Sequence, residues 1–186
     1  MFLESTYQAK QLQNISDLSI MDIAILTAQI GDRPFLMKSS QEHLTVGQIQ
    51  IVCYYAQGTH IAKTGRSLFR EDFFIEENRI ENPLITEVLG PYDKRITPFY
   101  MDSTLVKYLT NKDKGFTAEN NLMTQEIIYK YAPCDYKETM KMLRSTTPYK
   151  NAQKNEFKKI SKSDIKDYFE HLILQKTEIF QPIIGE

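Results

Sequence analysis

The segment LTVGQIQIVCYYAQGTHIAKTGRSLF, Leu44 to Phe69, narrows what this chain can become more than any other. It opens with Thr45 and Gln48 in capping-box spacing, in which each side chain satisfies the other residue's backbone N–H at a helix start. It closes on Gly65, the residue type favoured just past a helix end. Between them Ile49, Val52, Cys53, Ala56 and His60 recur at helical spacing and predict one inward face. The anomaly is Gly58, placed in the helix interior, where glycine costs about 1 kcal/mol relative to alanine. That cost is tolerated where a neighbour must approach the backbone closely, so a second helix or the following Ser67-Leu68-Phe69 is expected against it. His60 then reads as a hydrogen-bonded residue near the helix end rather than a catalytic base.

Helix signals dominate the rest of the chain. Leu18, Met21, Ile25 and Ala28 repeat at helical spacing and stop before Gly31. Asn82 before Pro83 supplies an N-cap and a residue already fixed for the first turn, predicting a short helix PLITEVL ended by Gly90 and Pro91. Further helices are expected from Ser103 to Asn111, from Thr117 to Tyr131 and from Asp135 to Ser145, the last opened by Asp135 and Glu138 at capping-box spacing. Ser161 and Asp164 start a terminal amphipathic helix with Ile165, Phe169, Leu172 and Ile173 inward. The stretches YDKRITPFYM and TTPYKNAQKNEFKK read as loops. The spacing of Phe69, Phe73 and Ile75 suits at most a short extended segment near residues 67–77. The expected fold is mainly α, a compact single domain of about six helices over 17–175, with an N-terminal extension at 1–16 and a C-terminal tail at 176–186.

Charge and cysteine usage remove several classes of function. With 23 basic and 24 acidic residues the chain has no global pull toward nucleic acid or an anionic membrane. Its two cysteines, Cys53 and Cys134, lie far apart and outside any metal-ligand spacing, which suits a reducing cytosol. The start MFLESTYQAKQLQN lacks the basic, apolar and small-residue regions of a signal peptide, and no apolar run reaches about 18 residues, so a cytoplasmic protein that does not span a membrane is expected. His43, His60 and His171 are scattered, and no phosphate-cradling, nucleophile-elbow or zinc-protease string occurs. No cofactor, no metal and no catalytic role is expected. The adjacent carboxylates of Glu71-Asp72 and Glu76-Glu77 read as a solvated face. Lys150, Lys154, Lys158, Lys159, Lys162 and Lys166 form a locally basic strip, read first as an exposed face and otherwise as a phosphate or acidic-protein contact.

The Leu44–Phe69 segment also resembles the first signature of the Panacea domain, the SocA-like antitoxin family, with its Leu-Thr start, Tyr-x-Ala-Gln-Gly-x-His core and Gly-x-x-Leu-Phe exit. Three later stretches fall in the family's order. IEENRIENPLITEVL stands where the family turns before a short helix, YKYAPCDYKETMKMLRSTTPYKNA is similar to its Leu-rich helix and following motif, and ISKSDIKDYF is similar to its last helix. Asn82 replaces the usual Gly before Pro83, Ser145 the frequent His, and Tyr149 the frequent Trp. The resemblance implies a cytosolic antitoxin that binds and neutralises a cognate protein toxin, with a protease as delivery target in some members. Tyr55, Gln57, Gly58, His60, Phe69, Pro83, Pro148 and Tyr149 are the motif positions carried over as partner-binding candidates. Tyr149, on a proline-stiffened loop, suits either an interface anchor or a cap on the core. Two other readings stand beside this one. One is a phage or mobile-element accessory protein that uses the lysine strip on DNA or on a host regulator, although nucleic acid is the less expected partner. The other is a hydrolase resting on Cys53 and His60.

Overall fold

The computed structural model describes residues 18–31, 44–92 and 116–174. The helix expected from Ser103 to Asn111, His43, nearly all of YDKRITPFYM, the extension at 1–16 and the tail at 176–186 lie outside the described residues. Within them the fold is mainly helical, with seven α-helices and a small three-stranded sheet.

Local capping places most of the elements. Helix α1 (Ile20–Gly31) has Asp22 in its first turn, whose carboxylate accepts from Ser19 N at 2.8 Å. Helix α2 (Val46–Thr64) carries the full capping box, with Gln48 N donating to Thr45 Oγ1 at 3.2 Å and Thr45 N donating to Gln48 Oε1 at 2.9 Å. It ends on Gly65 at φ 69°, whose N–H donates to Ile61 O. A hairpin follows, β1 (Phe73–Glu76) against β2 (Arg79–Glu81), with Ile75 opposite Ile80. Glu77 and Asn78 both take positive φ in its two-residue turn, the twist that suits a tight hairpin. Asn82 Oδ1 accepts from Leu84 N and Ile85 N to start α3 (Pro83–Leu89), with Pro83 in the first turn. A short 3₁₀ turn (Gly90–Tyr92) continues it. Thr117 caps α4 (Ala118–Tyr131) and Asp135 caps α5 (Tyr136–Arg144).

The remaining elements depart from the sequence reading. TTPYKNAQKNEFKK is not a loop throughout: it holds α6 (Thr147–Lys154), and the turn after α6 leads into β3 (Lys159–Ile160). Pro148 sits in the first turn of α6, a position proline tolerates because the N–H it lacks has no intrahelical partner there. The extended structure is also more than one segment, since β3 joins β1 on the side away from β2 to give the order β2-β1-β3. In α7 (Lys162–Leu174) Ile165 and Phe169 are buried as expected, but burial stops there, with Leu172 half-buried and Ile173 exposed.

Helix α2 is enclosed on every side rather than on one face. Every residue from Gln48 to Ile61 is buried, with α7, α4 and α1 packed around it and β2 and α3 beside them. An enclosed helix is usually apolar all round; α2 instead carries three glutamines whose amides need partners inside the protein. Gln57 Oε1 accepts from Leu68 N at 2.8 Å and Phe69 N at 3.3 Å, while its Nε2 donates to Phe69 O at 3.1 Å. Gln50 Oε1 accepts from Asn82 N at 2.8 Å, and its Nε2 donates to Asn82 O and to Thr86 Oγ1. Gln48 Nε2 donates to Ala132 O and Cys134 O at the turn between α4 and α5. Each amide thus fixes a stretch of irregular backbone against α2.

Gly58 has the neighbour its position demanded, and it is a helix. A Cβ on Gly58 would fall 2.4 Å from the Phe169 ring of α7. Phe169 also meets Tyr54 and Tyr55 edge-on at centroid distances of 5.8 and 5.6 Å, and Tyr55 stacks on Tyr131 of α4 at 4.0 Å and 3°. Gly58→Ala is therefore expected to destabilise by about 1–3 kcal/mol through overpacking, although alanine is the better helix former. Urea unfolding checks this, and an unchanged or raised midpoint would show that Phe169 does not rest on Gly58.

Candidate functional site

The motif positions carried over from the sequence are mostly spent on the fold. Tyr55, Gln57, Gly58 and Phe69 gather where α2 meets α7 and the segment after Gly65, and all are buried. His60 Nδ1 lies 2.7 Å from Arg66 O and 3.3 Å from Thr64 Oγ1, so its ring holds the chain just past the end of α2. Pro83 is exposed at the start of α3, apart from the others. Pro148 and Tyr149 lie on α6, and Tyr149 is 1% exposed, a core side chain on a helix rather than an anchor on a loop.

Burial favours the neutral form of Cys53 and of three tyrosines of the core. Cys53 is wholly buried, its thiol pushed far above the usual range by desolvation and then by the charge of Glu71, and its Sγ faces Ile20 O at 4.0 Å. A thiol so held does not supply a thiolate nucleophile. Desolvation first of all, with neighbouring phenols adding to it, also pushes Tyr54, Tyr55 and Tyr131 well above the ordinary phenol value. The Tyr54 hydroxyl has no hydrogen-bond partner among the described residues.

Away from this core, a groove of about 620 Å³ runs between β1, the turn joining α6 to β3 and the start of α7. Phe74 and Phe157 form its apolar part, and Asp72, Lys159 and Lys162 its charged part. Lys159 Nζ lies 2.6 Å from Asp72 Oδ2, and Lys162 Nζ lies 3.7 Å from Asp72 Oδ1 while donating to Arg70 O and Phe69 O. Burial pulls the Lys162 ammonium below the ordinary lysine value, with Asp72 opposing that pull. Asn155, at the end of α6, accepts from Lys159 N at 3.1 Å and donates to Lys159 O at 2.9 Å, so its amide closes the outer edge of β3.

Two sequence readings change here. The lysine strip is not one uniformly solvated face: Lys159 and Lys162 are tied to Asp72, and Lys166 Nζ lies 3.7 Å from Glu170 Oε1. Glu71-Asp72 is not simply solvated either, because Glu71 Oε2 accepts from Ile20 N at the start of α1 and Asp72 serves the lysines. Lys162 and Phe69 lie 93 positions apart in the chain, and no local spacing announces such a contact. Sequence reading also passed over Phe157, an aromatic in a run of polar residues that ends up 77% exposed.

The buried phenols set an alkaline limit. Their folded values lie above the unfolded value of about 10, so their contribution is complete below pH ~10 and is lost as pH rises, because the unfolded chain releases protons that the folded chain keeps. Each is expected to cost about 1.4 kcal/mol per pH unit above that point. Tyr54→Phe, followed by urea unfolding at neutral and alkaline pH, is expected to leave stability undiminished at pH 7 and to flatten the alkaline decline by one proton; an unaltered decline would refute the assignment. No family model, no curated protein and no solved structure matches this chain.

Proposed function

We propose that the protein is an antitoxin, a cytoplasmic binding protein that neutralises a cognate protein toxin and performs no catalysis of its own. The observation that carries this reading is the fate of the Tyr-x-Ala-Gln-Gly-x-His segment. Its tyrosine, Tyr54, meets Phe73 and Phe169 edge-on in the core, its amide is occupied by Leu68 and Phe69, its glycine lies under Phe169 and its histidine is held at Arg66 O. A motif used up in this way builds a scaffold, and a scaffold supports recognition by the surfaces it holds in place. The resemblance of the same residues to the Panacea domain gives that recognition its class of partner. No helix among the described residues is long and apolar enough to cross a membrane.

The DNA-binding alternative rests on the lysine strip. Pairing of Lys159 and Lys162 with Asp72, and of Lys166 with Glu170, leaves that strip fewer charges for phosphate.

The test is genetic. Expression of the product of the reading frame beside this gene is expected to arrest growth, and co-expression of this protein is expected to restore it. A neighbour harmless on its own, or equally lethal in the presence of this protein, would overturn the reading.

A further inference from the structure

We propose that the groove between β1, β3 and the start of α7 docks an acidic segment of the protein partner, seating one aromatic or aliphatic side chain against Phe157 and Phe74. This rests on the reading of the protein as a binder of another protein, and it adds where the partner sits and what its chemistry is.

Presentation of Phe157 is the first support. A phenylalanine 77% exposed to water is costly to leave bare, and here the turn that carries it is fixed. Lys158 N donates to Asn155 O at 3.2 Å, the Asn155 amide pairs with both backbone groups of Lys159, and Lys158 takes φ 49°. The ring is therefore held out by a braced turn rather than by a loose one, and an anchor ordered before contact loses less entropy on binding.

Charge is the second support. Residues 150–162 carry Lys150, Lys154, Lys158, Lys159 and Lys162 against the single acid Glu156, and Asp72 is the acid that the groove itself brings to them. Asp72 holds Lys159 and Lys162 along the groove, while the exposed Lys154 and Lys158 stand three positions before and one after Phe157 in the chain. A basic rim around an aromatic wall complements an acidic segment with an apolar anchor. The closed outer edge of β3 also decides the mode of docking. With Lys159 N and O already taken by Asn155, an added strand has nothing to pair with there, so the partner is read through side chains.

The probe is a short fluorescein-labelled peptide with one phenylalanine among glutamates and aspartates, set against its glutamine and asparagine counterpart and against oligo-dT. The acidic peptide is expected to bind about tenfold or more tightly than the neutral one, and Phe157→Ala and the double variant Lys154→Glu, Lys158→Glu are each expected to weaken it about tenfold at an unchanged melting temperature. Equal binding of the two peptides, tighter binding of oligo-dT, full binding by Phe157→Ala, or a large fall in its melting temperature would each overturn the proposal. The growth assay separates this proposal from the reading beneath it. Rescue by both variants as complete as by the unaltered protein overturns the groove and leaves the antitoxin reading standing. The expected peptide behaviour together with no rescue by the unaltered protein supports the groove and overturns the antitoxin reading.

Discussion

The side-chain amides of Gln48, Gln50 and Gln57 do for three irregular stretches of chain what a ladder of backbone bonds does inside a sheet. A primary amide offers one acceptor and one donor side, so it can satisfy a backbone N–H and a backbone C=O together. Gln50 does this at Asn82 and Gln57 at Phe69, and Gln48 uses its donor on the turn after α4 and its acceptor on Thr45. Because a buried donor or acceptor without a partner costs about 1–3 kcal/mol, these contacts are what allow a helix with so many polar residues to be surrounded completely. The hairpin, α3 and the α4–α5 turn take their positions from them.

What the sequence made legible was local. Capping at Thr45, Asn82 and Asp135 depends on residues within one turn, and each of these caps appears where the local sequence placed it. Gly58 was legible too, because a glycine in a helix that has strong ends requires an explanation from packing. The enclosure of α2 was not, since its three glutamines look like a polar face until their distant partners are known. The pairing of Lys159 and Lys162 with Asp72 joins residues far apart in the chain, and β3 has too few residues to carry a period of its own. The α6 segment misled because Thr-Pro marks a turn and a first helical turn equally well.

The division of labour follows from where polar atoms are spent. Around α2 the three glutamine amides and the His60 ring face the chain's own backbone, and burial pushes the Cys53 thiol and the Tyr54 and Tyr55 phenols upward. At the groove the balance is different: Lys162 gives up part of its hydration to hold the carbonyls of Phe69 and Arg70, and Asp72 compensates it. That arrangement ties the start of α7 to the irregular segment leading from α2 to β1, so the surface bearing Phe157 is joined to the core.

The reach of the Gln48 amide has a kinetic meaning. Its donors' targets, Ala132 and Cys134, lie 84 and 86 positions further along the chain. A state that buried α2 before those residues arrived would strand an amide in an apolar interior, as would one lacking Leu68 and Phe69 beside Gln57. Such half-assembled species are high in energy, and closing loops of that length is slow. Complete burial of α2 is thereby tied to the docking of segments up to 86 positions away.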